Sequence, residues 1–245
     1  LYGEPCDMTK IKQLAEKYNL IVIEDCAEAI GSSWNKKLVG TFGEVSTFSF
    51  FGNKTISTGE GGMILFKSEE MRDRAKIFQS HGMSKATKYW HEVIGFNYRL
   101  TNVQAAIGVA QMENFSLILN KKIRIFDEYT KLLKNHKCIY KLPNQSEDRF
   151  NSNWLYTIIL DRTINRDYVI SSLLDRGIDT RPMFYPLHLM PPYKQFKRSK
   201  SINYSTTLTL SGISLPTSIS LEENDIKFIV QNLLNILAHS QSKIS

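Results

Sequence analysis

The run Phe50-Phe51-Gly52-Asn53-Lys54 sets one lysine between aromatic residues and a glycine-rich turn, Thr58-Gly59-Glu60-Gly61-Gly62. An amine among apolar groups has its charged form disfavoured, and a neutral amine is what a lysine nucleophile or Schiff-base former needs. Solvated lysine is the commoner state, so the local setting leaves both readings open. Asp25 shifts the balance. It ends a short apolar run, and a carboxylate at a strand end can keep a pyridine nitrogen protonated. Ser49 adds a hydroxyl, which together with turn N–H groups suits a phosphate, although a lone serine there is more often just an outward strand residue. Amine, carboxylate and phosphate-binding hydroxyl are the three groups that pyridoxal 5'-phosphate (PLP) chemistry asks of a protein.

The elements that must position these groups follow from pattern. Asp7 can cap a helix whose Ile11, Leu14, Ala15 and Tyr18 fall at helical spacing, with Asn19 at its end. Leu20-Ile21-Val22-Ile23 reads as a parallel strand buried on both faces, ending in Glu24-Asp25. In α/β sheets ligands sit outside the carboxyl ends of strands, which is where this places Asp25. Val45 to Phe50 alternates like a strand, Met63 to Phe66 is another, and Ser68 can cap a helix running to about Ser80. A helix starts at Thr101 and continues, broken, to about Lys134. Residues 140–152 are turn-rich, Trp154 to Leu160 reads as a strand, and helix 166–176 stops at Gly177. The Pro-rich stretch 182–192 and an amphipathic helix after Leu221 complete the chain. We divide it at 1–115, the C-terminal part of a large domain, and 116–245, a bridging helix with a small α+β domain.

The 245 residues are 42% apolar and 22% charged, the composition of an ordinary globular protein with material for a core. No apolar run approaches the about 20 residues of a membrane span, and no signal pattern opens the sequence, so a cytoplasmic setting is expected, with no membrane partner. Three cysteines without metal-ligand spacing predict reduced thiols and no metal site. The net charge of +7 is scattered, which gives no support for nucleic acid. The densest basic cluster, Lys197-Arg198-Ser199-Lys200, reads as a solvated loop.

Three runs bring a resemblance into view: Glu24-Asp25-Cys26-Ala27-Glu28-Ala29-Ile30-Gly31, the stretch from Thr47 through Lys54 to Gly62, and Gly95-Phe96-Asn97-Tyr98-Arg99-Leu100-Thr101-Asn102 with Val103-Gln104-Ala105-Ala106 after it. In order and spacing they resemble the sugar aminotransferases of the DegT/DnrJ/EryC1/StrS family. Arg181-Pro182-Met183-Phe184-Tyr185-Pro186-Leu187-His188 and Pro191-Pro192-Tyr193 extend the resemblance over nearly the whole chain. Phe-Phe-Gly-Asn-Lys followed by Thr-Gly-Glu-Gly-Gly is most similar to the perosamine synthase branch, which aminates C4 of a GDP-linked 4-keto-6-deoxyhexose.

The resemblance implies an α/β protein of PLP-dependent aminotransferase fold type I (aspartate aminotransferase-like), with a large parallel-sheet domain and a small α+β domain. It implies that Lys54 forms the Schiff base, Asp25 meets the pyridine nitrogen, Glu28 lies near the cofactor's 3-oxygen and Ser49 binds its phosphate. Asn97, with Arg99, is implied to reach the phosphate of a neighbouring subunit, which makes a homodimer part of the site. Arg181, Tyr185 and His188 are implied near the substrate, with loop packing as the alternative for each. The implied substrates are a nucleotide-linked keto-sugar and L-glutamate. Related sugar 3-dehydratases carry histidine at the lysine position, so Lys54 argues for transamination. Family members carry a further stretch of about a hundred residues, half the size of a large domain, before the part resembled here. It holds a phosphate-binding helix start and a residue that stacks on the cofactor, so a non-catalytic fragment or regulatory relative is the alternative expectation.

Overall fold

The computed structural model describes residues 1–143, 146–196 and 203–241; the basic cluster at 197–200 lies outside the described residues. In chain order the elements begin with α1 (Met8–Tyr18), β1 (Ile23–Asp25), β2 (Ser33–Trp34), β3 (Lys37–Leu38), β4 (Val45–Ser49) and β5 (Gly62–Phe66). Helices α2 (Glu69–Gln79), α3 (Asn102–Glu113) and α4 (Phe115–Leu133) follow, then β6 (Ile139–Lys141), β7 (Arg149–Phe150) and β8 (Tyr156–Leu160). The chain closes with α5 (Arg166–Leu174), β9 (Arg181–Pro182), two 3-10 turns at Leu187–Leu189 and Pro191–Tyr193, α6 (Asn203–Ser211), β10 (Gly212–Leu215) and α7 (Glu223–Gln241). Two compact units result: residues 3–119 with 146–154 and Leu1, and residues 120–145 with 155–245 and Tyr2. The segment 146–154 therefore groups with the first unit, across the 115/116 division drawn from sequence. Its β7 pairs with β2 (Ser33↔Phe150), and a strand pairing outweighs sequence position.

In the first unit the helix signals act where they stand. Asp7 accepts from the Lys10 N–H at 3.0 Å and Asn19 closes α1 in the left-handed conformation, φ 50°, which Asn tolerates. Ser68 caps α2, and Thr101 forms a reciprocal capping box with Gln104 at the start of α3. The central sheet has the order β1-β4-β5, with β1 parallel to β4 and β4 antiparallel to β5. The antiparallel step follows from the linker: a parallel return needs a crossover, usually a helix, and residues 50–61 form only turns. One expectation is corrected here. The Leu20–Ile23 run is not buried on both faces: Leu20, Ile21 and Ile23 are exposed, and the strand proper is Ile23–Asp25. The physical reason is that β1 has one sheet neighbour, β4, among the described residues, so its other edge has nothing to pack on.

The second unit is an antiparallel sheet of order β6-β8-β10-β9. Ile125, Tyr129 and Leu133, spaced four residues apart on α4, are fully buried against Tyr156, Ile158 and Leu160 of β8 and Ile213 of β10. Full burial of each such side chain is worth about 1.5–3 kcal/mol. Tyr129 and Tyr156 stack at 4.9 Å, and each hydroxyl finds an acceptor or donor, Pro216 O at 3.0 Å and Thr130 Oγ1 at 3.0 Å. Gly177, at φ 76°, ends the α5 turn in a conformation that glycine adopts without strain. No helix of the described residues is long and apolar enough to cross a membrane.

Lys122 of α4 is only 7% exposed, and its ammonium donates to the Thr217 carbonyl at 2.7 Å and to Thr217 Oγ1 at 3.3 Å. Burial pushes its pKa down to about 8. The unfolded chain therefore binds more protons than the folded one between about pH 8 and pH 10.5, and stability rises with pH through that window. Below it both states are charged and a constant penalty of a few kcal/mol remains, since each tenfold loss of proton affinity on folding costs about 1.4 kcal/mol. Lys122→Met is expected to flatten this limb, read as urea midpoints across the window; a slope equal to that of the wild type contradicts it.

Candidate active site

Strand alternation separates two adjacent carboxylates. Glu24 is buried and accepts from the N–H groups of Gly40, Phe42 and Gly43 at 2.7, 2.7 and 2.6 Å, so it holds the 40–43 loop in place. Asp25 points to the opposite, open face. Its Oδ1 accepts from Ala27 N–H at 3.1 Å and Thr47 Oγ1 at 3.4 Å, and its Oδ2 has no partner among the described residues. Asp25 pairs in register with Thr47, so the carboxyl ends of β1 and β4 lie side by side. Ser49 ends β4, where its Oγ accepts the Phe51 N–H at 3.3 Å and keeps its own proton to donate. Cys26 sits beside Asp25 but is no nucleophile: burial first, then the charges of Glu24 and Asp25, push its thiol up to about 12.

Lys54 closes the turn after β4, its N–H donating to Phe51 O at 3.0 Å. Its side chain is 13% exposed, with Glu28 Oε1 3.9 Å from Nζ and the Trp154 ring centroid at 4.0 Å. Of the two settings that the local sequence leaves open, solvated or sheltered, the side chain has the sheltered one. The groups that face the amine are a carboxylate and an indole face, while Phe50 is buried and Phe51 is half exposed. Helix α3 braces the glycine-rich turn. Gln104 Nε2 donates to Glu60 O at 2.8 Å, and Gln111 exchanges hydrogen bonds with both backbone groups of Ser57.

Within the first unit the chain thus brings together Asp25, Glu28, Ser49 and Lys54 around the ends of β1 and β4. Asn97 and Arg99 lie on an exposed segment beside the end of α2, bonded to each other at 3.3 Å. Among the described residues no hydrogen bond or ion pair joins them to the Lys54 group. Arg181, Tyr185 and His188 belong to the second unit: Arg181 faces Asp179 at 3.7 Å, Tyr185 is half exposed, and His188 Nε2 meets Thr206 Oγ1 at 2.9 Å. Trp154 was not legible as a site residue, since nothing in a lone tryptophan before a strand announces a lysine a hundred positions earlier in the chain.

A solved structure shares this frame. The aminotransferase TlmJ from Streptoalloteichus hindustanus superposes with a TM-score of 0.88 at 26% identity, covering 97% of this chain and 64% of that one. The architecture is the α/β fold of type I PLP-dependent aminotransferases. Residues 1–234 match the DegT/DnrJ/EryC1/StrS aminotransferase family, and the chain belongs to it. Aminotransferases of this family use PLP. A GDP-perosamine synthase from Escherichia coli O157:H7 is 43% identical over 233 residues, 95% of this chain and 63% of the relative. Another from Vibrio cholerae is 39% identical over 237 residues, 96% of this chain and 64% of the relative. The chain thus spans less than two thirds of the length of these relatives.

Proposed function

We propose that this chain carries the lysine-bearing part of a PLP-dependent sugar aminotransferase. The reaction moves the amino group of L-glutamate to the keto carbon of a GDP-linked 4-keto-6-deoxyhexose, giving 2-oxoglutarate and a 4-amino sugar. The observation that carries this reading is a sheltered Lys54 amine grouped with Glu28 at the strand ends that also present Asp25 and Ser49. The donor set fits PLP. Asp25 offers an unpartnered oxygen for the pyridine N–H, Ser49 a free hydroxyl proton for phosphate, and Lys54 an amine for the aldehyde. When bound, PLP supplies an electron sink for the charge left by α-proton loss.

The chain's own residues do the rest. Lys54 would hold the cofactor through its amine, and with that amine free its Nζ would take the proton from the amino-acid α-carbon. Glu28, 3.9 Å away, stabilises the ammonium so formed, and Lys54 delivers the proton back on the cofactor side. Asp25 keeps the ring nitrogen protonated throughout, which is electrostatic stabilisation by a fixed charge. In the return half-reaction on the keto-sugar the same groups act in reverse order.

We assign Asn97 and Arg99 to the cofactor phosphate of a second copy. Two facts support this: they lack contacts to their own Lys54 group, and Trp90, Ile94, Phe96 and Tyr98 around them are exposed, Ile94 by 90%. A run of apolar side chains left in water is a surface for association. Arg181, Tyr185 and His188 are assigned to the sugar nucleotide, and the setting to cytoplasmic supply of amino sugars for O-antigen.

The test assays the full-length enzyme with glutamate against GDP- and UDP-linked 4-keto-6-deoxyhexoses. Amination of the GDP-linked sugar, with one 2-oxoglutarate released per amino sugar formed, is expected. Preference for the UDP-linked sugar overturns the nucleotide assignment, and amination of neither overturns the reaction.

A further inference from the structure

Trp154 makes two contacts here, one to the peptide before Lys54 and one to the lysine itself. The indole N–H donates to the Asn53 carbonyl at 2.8 Å, and the indole face lies under Lys54 Nζ with 4.0 Å to the ring centroid. The first contact fixes the backbone from which the lysine springs; the second meets its charged end. Trp154 is itself 2% exposed, so the pair is desolvated, the condition in which a cation over an aromatic face interacts most strongly.

The tryptophan is delivered by a buried clamp. Ser32 Oγ donates to Gly3 O at 2.5 Å, lies 2.8 Å from Ser152 Oγ and accepts the Ser152 N–H at 3.1 Å. Asn151 Oδ1 accepts the Asn153 N–H at 2.7 Å, and Asn153 takes a left-handed turn at φ 61°. Gly3 runs directly beneath, at φ 91°. A Cβ there would stand 2.4 Å from Asn151 Oδ1 and 3.1 Å from Trp154 N, so only glycine lets this backbone approach. Residues from three distant parts of the chain thus converge to hold one indole ring.

We infer that Trp154 is a positioning residue for Lys54, its ring face holding the ammonium of the lysine whenever the amine is free. This rests on the proposed role of Lys54 and adds a partner to it. A free lysine on a four-carbon stem has many rotamers, and the indole narrows them without taking a proton. Glu28 is the charged group that faces Nζ; a further carboxylate in place of the ring would add a stronger hold on the ammonium. A ring face stabilises the cation more modestly, so Lys54 can still give up its proton to the cofactor side. The protonated lysine that develops as the α-proton leaves is therefore stabilised by Trp154.

The test replaces tryptophan with its mono-, di- and trifluoro analogues in the full-length enzyme, which keeps ring shape and N–H but drains charge from the ring face. The protein without cofactor is treated with limiting acetic anhydride, and acetylation of Lys54 relative to other lysines is read by mass spectrometry. Lys54 acetylation is expected to rise stepwise with fluorination, by about three- to tenfold across the series, because a weaker ring face holds the amine less firmly. With PLP bound, exchange of the glutamate α-hydrogen with solvent is expected to slow in the same order. The same series in Trp154→Phe, which leaves Trp34 and Trp90 as the fluorinated rings of this chain, should show no gradient in either. A flat acetylation profile in the wild-type background, or an equal gradient in Trp154→Phe, overturns the inference. If acetylation follows the series but glutamate shows no exchange, the contact stands and the role given to Lys54 falls.

Discussion

Lys54→Ala lowers amino transfer by about 10⁴-fold, the upper range for a positioned acid–base group, and the protein stays folded. The size follows from the proposed double use of one amine, to carry the cofactor and to move the proton. Free amines added from solution restore part of the proton transfer but not the covalent hold, so rescue is partial. The fold tolerates the change because the Lys54 side chain is not part of a packed core: its contacts are Glu28 and the Trp154 face, and the turn is kept by the Lys54 N–H, which alanine retains. Rates of 2-oxoglutarate formation, with circular dichroism as the folding control, decide it. A variant within tenfold of the wild type overturns the role.

Asp25→Asn gives the second large loss, about 10²–10³-fold, the magnitude found when one preorganised electrostatic group is removed. Asparagine keeps an oxygen for the Ala27 N–H and the Thr47 hydroxyl, so the strand end is preserved. What it loses is charge, and its NH₂ then faces the pyridine nitrogen as a donor. The ring nitrogen stays unprotonated and the electron sink weakens. The loss should fall on the α-proton step, seen as slower glutamate α-hydrogen exchange, with PLP still bound at saturating concentration. Unaltered exchange in Asp25→Asn contradicts the assignment.

Much of this frame could be read from residue order. Asp7, Ser68 and Thr101 marked helix starts because capping is local chemistry, and the break between α3 and α4 falls at Asn114. Lys54, Asp25 and Ser49 are legible as candidates because strand ends and a glycine-rich turn bracket them, whereas Glu28 enters only through the family resemblance. What could not be read is long-range. Residues 212–215 form an inner strand of the second sheet, yet the four-residue run Gly-Ile-Ser-Leu is too short to announce it, and its alternation hints at one exposed face where all four residues are buried and Ser214 is satisfied by Thr157 at 2.9 Å. The apolar run 20–23 predicted burial from hydropathy alone, whereas burial depends on what lies beside β1. The surroundings of Lys54 are long-range in the same way: its neighbours in sequence are aromatic, but its neighbours in space are Glu28 and Trp154.

The most direct measurement is where the cofactor attaches. The full-length enzyme is incubated with PLP, reduced with borohydride, digested and sequenced by mass spectrometry. The phosphopyridoxyl group is expected on Lys54 alone, and prior addition of glutamate should prevent its capture. Attachment to another lysine, or no attachment while the protein is folded, would contradict the account.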